Sequence, residues 1–196
     1  MFTLPVTTEF FFIRHGQTDW NAEKRLQGST DIPLNAQGRE QAETAKYLFQ
    51  NISINHIFSS NLSRAYETAT IINSTLNTNI SSHTGLQERY FGILEGLSPL
   101  EIAAQPPEKI FYDEIEANGF KRALHSEALP DFDQRVVDTI KNILHAHMDN
   151  TLLFVSHGGV FASLCRQLLQ QTIHSDNAVP YRFFLSADGW NLEKIG

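Results

Sequence analysis

Cysteine is almost absent from this sequence, in which Cys165 is the one such residue among 196. A single thiol cannot form a disulfide within the chain, and it cannot build a metal site from several thiolates. The sequence therefore excludes a disulfide-stapled scaffold and a cysteine-rich metal domain. Cys165 follows Leu164 in a stretch predicted to be helical, so we expect it to be a small buried residue.

An excess of positive charge is also missing. The 15 Lys and Arg residues face 22 Asp and Glu residues, which gives a formal net charge of −7. This balance argues against nucleic acid as a partner. It also repels anionic small molecules, so any site for a phosphorylated substrate requires a local cluster of basic side chains.

Long apolar runs are missing as well. No stretch approaches the roughly 20 residues of a membrane-spanning helix, and no basic segment followed by an apolar one marks the N-terminus. We therefore expect a cytoplasmic protein without a membrane partner. With 41% hydrophobic and 19% charged residues, and no repeats or linkers, residues 1–196 are predicted to form a single domain.

Strand-like and helical patterns alternate along the chain, which predicts an α/β fold. The predicted strands are Glu9–Arg14, His56–Ser59, Asn79–His83, Leu152–Ser156, Tyr181–Ser186 and Trp190–Lys194, and the predicted helices are Asn35–Gln50, Ser63–Leu76, Phe132–His147 and Gly158–Leu169. Asn35 is a suitable N-cap, and Ala187-Asp188-Gly189 predicts a hairpin turn. We expect a three-layer α/β/α sandwich with a mainly parallel six-stranded sheet and one antiparallel edge strand.

The segment from Ser98 to Pro130 breaks this pattern, because Pro106-Pro107 and Gly119 interrupt its periodicity. We predict an irregular, partly helical excursion over the carboxyl ends of the strands. Loops on a rigid scaffold commonly determine selectivity, which favours a role in substrate contact. The alternative is a surface excursion that does not touch the ligand.

Basic side chains follow three of the predicted strands. Arg14 and His15 end the first strand, Arg64 follows the second, and His157 ends the fourth. Ligands of open α/β sheets bind outside the carboxyl ends of the strands, and Gly16 would let backbone N–H groups approach an anion. The three strand ends therefore predict an anion site.

Arg64 lies in the first turn of a helix predicted to begin near Ser60 or Asn61. A cation is mildly unfavourable there, because the helix dipole is positive at this end. A phosphate held by Arg14, Arg64 and the helix N-terminus would remove the conflict. The alternative is an Arg64 side chain that is merely solvated on a surface helix, and the neighbouring motifs favour the anion site.

Five separated stretches of the sequence form an ordered set. They are Arg14-His15-Gly16 with Asn21, Leu26–Gly28 running through Pro33-Leu34-Asn35 into Gly38–Ala42, Ser59–Ala69 around Arg64, Leu86–Gly96, and Ser156–Gly159. In this order they resemble the motifs of the histidine phosphatase superfamily, also called the phosphoglycerate mutase-like family. The resemblance covers nearly the whole chain. It implies a phosphatase acting on a small phosphorylated substrate, without a cofactor or a metal.

The chemistry that follows from the resemblance is phosphoryl transfer through a covalent intermediate. His15 is the predicted nucleophile, since a neutral imidazole nitrogen can attack phosphorus and form a phosphohistidine. One ring nitrogen must then be held as an N–H donor by a backbone carbonyl. Arg14, Arg64 and His157 are predicted to stabilise the charge, with His157 cationic beside a doubly charged phosphate.

Four further positions are predicted to make polar contacts with the substrate. They are Asn21, Gln27, Gly28 and Gly158. Eight histidines raise the alternative of a metal site, but no His-x-His or His-x-x-x-His pair lies at the motifs. His145 and His147 fall late in a helix on different faces, so we predict that both are solvated.

Glu88 is predicted to protonate the leaving alcohol and then to accept a proton from water. It lies in a loop, and a carboxyl beside a phosphate retains its proton more readily. In one alternative Glu88 pairs with Arg89 on the surface; in another, Glu95 of the same loop is the acid. The resemblance favours Glu88, whereas spacing alone does not decide.

Two positions depart from the mutases of the family, in which a tyrosine and a lysine handle a second anionic group. This sequence has Phe91 and Pro99 there, which favours a phosphatase. A mutase remains an alternative through Lys121 and Arg122, and so does a non-catalytic protein that binds phosphorylated ligands. The stretch Ser126–Ala128 matches the phosphatase pattern only in part, so the branch and the oligomeric state stay open.

Overall fold

A mixed six-stranded β-sheet forms the centre of the fold in the computed structural model, which describes residues 9–106, 110–112, 121–123 and 125–196. The strands of these residues are β1 (Glu9–Arg14), β2 (His56–Ser60), β3 (Asn79–His83), β4 (Ile110–Tyr112), β5 (Lys121–Ala123), β6 (Leu152–Ser156), β7 (Pro180–Ser186) and β8 (Gly189–Lys194). Strands β4 and β5 form a separate antiparallel ribbon.

The strand order brings the basic strand ends to one edge of the sheet. The order is β3-β2-β6-β1-β7-β8, and the first four of these strands are parallel. Strand β7 runs antiparallel to β1, and β8 antiparallel to β7, which confirms the mainly parallel sheet with an antiparallel edge. Arg14 pairs with Ser156 in register, so the loops after β1, β2 and β6 lie side by side.

Helices cover both faces of the sheet. The α-helices of the described residues are α1 (Asp19–Ala22), α2 (Ala36–Ala45), α3 (Ser63–Leu76), α4 (Pro99–Ala103), α5 (Leu129–Ala146) and α6 (Gly158–Leu169). Side chains alternate along β1: Phe10 and Phe12 pack with α5 and α6, whereas Phe11 and Ile13 pack with α2 and α3. The predicted three-layer α/β/α sandwich is confirmed.

Helix α2 begins where the sequence indicates and ends differently. The Asn35 side chain caps it by accepting the Gly38 N–H at 2.9 Å. After Ala45 the chain continues as a 3-10 helix, which winds more tightly than an α-helix. Phe49 is therefore fully buried, and its neighbour Leu48 is 38% exposed.

The start of α5 differs from the prediction, and α3 starts at the predicted residue with an unexpected cap. Helix α5 begins at Leu129, three residues early, because Pro130 fits the first turn, where no N–H donor is needed. The N-cap of α3 is Leu62, whose side chain makes no capping bond. Asp31 takes this role from another loop, since its Oδ1 accepts the N–H and the hydroxyl of Ser63, each at 2.8 Å.

The segment from Ser98 to Pro130 is described in part. Helix α4 agrees with the predicted helical content, and the β4–β5 ribbon was not foreseen. Residues 107–109, 113–120 and 124, with Pro107 and Gly119 among them, lie outside the described residues, as do the side chains of Lys121 and Arg122.

Cys165 lies on α6 and is fully buried, as predicted. Burial raises the pKa of its thiol to about 12, so the side chain packs as a small apolar group. Among the helices of the described ranges, none has the length and apolar character needed to cross a membrane.

Candidate active site

A cavity of about 340 Å³ opens at the carboxyl edge of the parallel strands. Of the predicted site residues, those that line it are Arg14, His15, Asn21, Gln27, Gly28, Arg64, Glu88 and Gly158. His157 packs against His15, with ring centroids 5.2 Å apart. The fold therefore gathers residues as far apart in sequence as Arg14 and Gly158.

His15 follows β1 and is 3% exposed. Its Nδ1 lies 2.7 Å from the carbonyl oxygen of Gly16, so the proton belongs on Nδ1 and the lone pair on Nε2. Burial and the charges of Arg64 and Arg14 lower the pKa of His15 well below its usual 6.5. The imidazole is neutral at neutral pH, in the tautomer that a nucleophilic Nε2 requires.

Gly16 has a packing role that the sequence did not reveal. Its N–H donates to Thr68 Oγ1 at 3.1 Å, so this group is already engaged. A Cβ at Gly16 would lie 2.2 Å from the carbonyl oxygen of Gly38, so the close contact with α2 requires glycine. The N–H of Gly16 itself is thus occupied by Thr68, whereas the approach of other backbone N–H groups to an anion stays a prediction.

Arg64 is completely buried beside the nucleophile. Its Nη1 donates to the Thr30 carbonyl at 2.8 Å, its Nη2 to the Gly28 carbonyl at 2.7 Å, and its Nε to Nε2 of His15 at 3.3 Å. Burial lowers the pKa of Arg64 to about 10, so it stays charged at neutral pH. The alternative of a solvated surface arginine is wrong.

The loop that holds Arg64 is fixed by Glu95. Oε1 of this carboxylate accepts the N–H groups of Ser29 and Phe91 at 2.9 and 3.0 Å, and Oε2 accepts the N–H of Thr30 at 3.0 Å and its hydroxyl. Gly28 has a φ of +57°, and a Cβ there would lie 2.0 Å from Oε1. These hydrogen bonds occupy the carboxylate of Glu95, and Glu95 does not line the cavity. Both observations argue against Glu95 as the general acid.

Arg14 ends β1 and adds a second largely buried guanidinium. Its Nη1 donates to the Ser175 carbonyl at 2.9 Å, and its Nε has no partner within the described ranges. Burial lowers the pKa of Arg14, while Glu88 and Asp176 act in the opposite direction. Gly158 lies against it, with space for a Cβ 3.5 Å from Arg14 Cζ.

His157 follows β6 as the N-cap residue of α6 and is fully buried. Neither ring nitrogen has a hydrogen-bond partner among the residues that the structure describes. Burial, followed by the charges of Arg64, His15 and Arg14, lowers the pKa of His157 well below 6.5. The expected cationic form therefore requires a phosphate, whose negative charge opposes these influences.

Glu88 faces the start of α6. Its Oε2 accepts the Gly159 N–H at 2.8 Å, and its Oε1 accepts the N–H of Arg89 at 2.9 Å. The side chain of Arg89 is buried and donates from Nε to the Glu127 carbonyl at 2.9 Å. The alternative in which Glu88 and Arg89 form a surface pair is wrong, and Glu88 lies in the cavity with His15.

Asn21 and Gln27, the two predicted polar side chains at the cavity, differ in their hydrogen bonding. Oδ1 of Asn21 accepts the Thr18 N–H at 3.1 Å within the capping box of α1, and Nδ2 of Asn177 lies 3.4 Å from it. Oε1 of Gln27 is buried and has no partner in the described part of the chain. Gln27 is thus available to a ligand, while Asn21 mainly shapes the loop after β1.

Sequence reasoning missed the outer wall of the cavity. The residues that line it without having been predicted are Arg25, Leu26, Arg89, Leu129, Phe132, Gly159, Ala162, Arg166, Thr172 and His174. One signal was present: Ala162 and Arg166 follow Gly158 at intervals of four, which puts all three on one helix face. The other wall residues come from loops and helix starts that carry no such pattern.

The late histidines of α5 are not both solvated. His145 is exposed, as predicted. His147 is partly buried, and its ring lies 5.1 Å from that of Phe58, so the prediction is wrong for this residue. Across the described ranges, no three His, Cys, Asp or Glu side chains gather in a group suited to a metal ion.

The sequence is similar to those of known proteins. A family model described as "Histidine phosphatase superfamily (branch 1)" matches residues 10–195. "Phosphoglycerate mutase-like protein 4" of Arabidopsis thaliana is 34% identical over 96% of this chain and 84% of its own length. "Uncharacterized phosphatase PhoE" of Bacillus subtilis is 33% identical over 82% of this chain and 77% of its own length.

A solved structure shares both the fold and part of the sequence. The mycobacterial glucosyl-3-phosphoglycerate phosphatase, in a complex with VO3, superposes with a TM-score of 0.82. The match covers 95% of this chain and 97% of that chain, at 25% identity. Phosphatases and mutase-like proteins therefore both occur among the similar proteins.

Proposed function

Because this chain belongs to the histidine phosphatase superfamily, we propose that it hydrolyses phosphomonoesters through a covalent phosphohistidine on His15. One observation carries the proposal. The Gly16 carbonyl holds Nδ1 of His15, which leaves the Nε2 lone pair beside Arg64 in a cavity that Glu88 also lines. A neutral nucleophile, fixed positive charge and a carboxyl group are thus available to one phosphate.

In the first step, Nε2 of His15 attacks phosphorus, and the bond between phosphorus and the ester oxygen breaks. Glu88 begins this step protonated and gives its proton to the departing oxygen, so a neutral alcohol leaves. The phosphoryl group is then bound to Nε2 of His15.

In the second step, Glu88 acts as a carboxylate. It takes a proton from water while the water oxygen bonds to phosphorus and the bond to Nε2 breaks. Inorganic phosphate leaves, His15 is again neutral and Glu88 is again protonated. The cycle needs no further reactant.

The negative charge on the phosphoryl oxygens is stabilised by Arg14, Arg64 and His157. Carbonyl oxygens already hold both guanidinium groups, so little reorganisation is needed as charge develops on the phosphoryl oxygens. His157 becomes a donor when the phosphate favours its protonated form. Gln27 and the backbone at Gly28 and Gly158 complete the proposed contacts.

The test is to trap the intermediate and to remove the nucleophile. The enzyme is mixed rapidly with 4-nitrophenyl phosphate, quenched in alkali to preserve a phosphohistidine, and digested for mass spectrometry. We expect phosphate on His15, and a loss of turnover in His15→Ala of at least about a thousandfold. His145→Ala, on an exposed site, is the control. Substantial turnover in folded His15→Ala contradicts the proposal.

A mutase-type phosphotransferase is the second candidate, since the A. thaliana relative carries a mutase-like name. In that reaction a substrate hydroxyl group takes the phosphoryl group from His15 in place of water. Phe91, which lines the cavity, and Pro99, at the start of α4, replace the polar residues expected of mutases, which favours the phosphatase.

A further inference from the structure

One face of α6 forms a wall that leads away from the phosphate end of the cavity. Gly158, Ala162 and Arg166 line the cavity and lie on the same side of the helix. At a rise of about 1.5 Å per residue, Arg166 lies roughly 12 Å along the helix from Gly158. The cavity thus has a phosphate end near Gly158 and a far end at Arg166.

Part of the cavity wall is apolar. Leu129 and Phe132, from the first turns of α5, line it together with Leu26 and Phe91 from two loops. Ala162 contributes a small side chain to the same region. An apolar segment of a ligand is favoured here, because its binding removes apolar surface from water on both sides.

Two arginines that line the cavity, Arg166 at its far end and Arg25, have carboxylate partners. Nη2 and Nε of Arg166 donate to the two carboxylate oxygens of Asp133 at 2.5 and 3.2 Å. Arg25, which also lines the cavity, is paired with Glu23 at 2.7 Å and with Glu101 at 3.1 Å. A second anionic group of a substrate at either arginine would meet a cation whose charge a neighbouring carboxylate already offsets.

The arginines at the phosphate end have backbone carbonyl groups as partners in place of carboxylates. Arg14 and Arg64 donate to backbone carbonyl oxygens and form no ion pair within the ranges that the structure describes. The attraction for an anion is therefore concentrated at one end.

From this separation we propose the substrate class, which rests on the phosphatase function proposed above. The substrate is a monoester of an uncharged alcohol whose phosphate is its single anionic group. Its middle is apolar, and about two helical turns from the phosphate it carries a neutral polar group such as a hydroxyl. Arg166, which lines the cavity, offers guanidinium N–H donors to that group, and Asp133 offsets its charge.

Three esters of equal chain length test this class. They are hexyl phosphate, 6-hydroxyhexyl phosphate and the phosphate monoester of 6-hydroxyhexanoate. We expect kcat/KM for the carboxylate-bearing ester to be at least about tenfold below that of the hydroxyl-bearing ester, because the second anion loses water without gaining an unpaired cation. Equal or faster turnover of the carboxylate-bearing ester overturns the proposal.

Binding of the matching phosphonates, measured by titration calorimetry, separates this proposal from the proposed function. If no ester, 4-nitrophenyl phosphate included, is hydrolysed, the phosphatase function fails. The affinities still decide the substrate class. At least about tenfold tighter binding of the hydroxyl tail than of the carboxylate tail supports it, and equal or reversed affinities overturn it.

A charge-removing variant tests the role of the ion pair. Asp133→Asn leaves the charge of Arg166 uncompensated, so the kcat/KM ratio of the carboxylate-bearing to the hydroxyl-bearing ester should rise at least about tenfold. Asp138→Asn is the matched control, since Asp138 is exposed on the same helix and binds Gln134. An unchanged ratio in folded Asp133→Asn overturns the assignment of charge compensation to Asp133.

Discussion

The Nε–H of Arg64 lies 3.3 Å from Nε2 of His15, so a permanent positive charge faces the nucleophilic nitrogen in a buried site. A proton on Nε2 would place two like charges in contact and would remove the acceptor of this N–H. The neutral imidazole is therefore favoured, in agreement with the lowered pKa of His15. This contact links the reactivity of His15 to the position of Arg64.

The buried histidines make stability depend on pH. The pKa values of His15 and His157 lie well below 6.5 in the folded protein, so below pH 6.5 the unfolded chain binds more protons than the folded one. We expect the free energy of unfolding to fall with decreasing pH, by up to about 1.4 kcal/mol per pH unit for each histidine.

Urea denaturation at several pH values between 7.5 and 5 measures this slope. His157→Asn should reduce the slope, because one of the two buried groups is gone. His145→Asn, at an exposed position, should leave it unchanged. Equal slopes in all three proteins would contradict the explanation.

Glu88 can be tested as the general acid through the leaving group. In Glu88→Gln, hydrolysis of an alkyl phosphate should slow by at least about a hundredfold, since an alkoxide cannot leave readily without a proton. Hydrolysis of 4-nitrophenyl phosphate should fall much less, because nitrophenolate leaves unaided. Equal losses of kcat/KM on both esters would show that Glu88 acts only on the structure of the site.

Glu95 should act differently, through the loop that holds Arg64. Glu95→Gln puts an amide N–H group opposite backbone donors, either those of Ser29 and Phe91 or that of Thr30, which we expect to cost about 1–3 kcal/mol of unfolding free energy. Arg64 then loses its fixed carbonyl partners, and the pKa of His15 should rise toward 6.5. The acid limb of kcat/KM should move to higher pH, with equal losses on aryl and alkyl esters.

Glu67→Gln is the control for Glu95→Gln. Glu67 lies on α3 like Arg64 but pairs with Arg39 at the surface. Removal of the Glu67 charge should leave the pH profile of kcat/KM unchanged. A Glu95→Gln enzyme whose stability falls while its acid limb stays fixed would show that Glu95 does not position Arg64.

Phosphatase and mutase can be distinguished with 3-phosphoglycerate. Phe91 lines the cavity, and the resemblance implies a polar residue at this position in mutases. We therefore expect a bisphosphoglycerate intermediate to be poorly retained and water to be the usual acceptor. Release of inorganic phosphate should exceed formation of 2-phosphoglycerate even with 2,3-bisphosphoglycerate as primer. Isomerisation faster than phosphate release would establish the mutase in its place.

Much of the fold could be predicted because the local periodicity of apolar residues indicates its strands and helices. Strands β1, β3 and β6 and helices α3 and α6 have the bounds that apolar periodicity indicates. The strand ends also identified Arg14, His15, Arg64 and His157, because parallel strands bring their carboxyl ends to one edge. Helix starts were harder: the cap of α3 comes from Asp31, which is distant in sequence.

The sequence by itself determined the layers, the strand ends and the residue types available for phosphoryl transfer, since these follow from periodicity and motif order. Only the tertiary structure decided how those residues are used. It buried Arg64 against His15, engaged Glu95 in the loop and left Glu88 at the cavity, and it paired Arg166 with Asp133. Each decision is a contact between chain segments far apart in sequence, where burial and charge compensation depend on three-dimensional packing that local patterns do not encode.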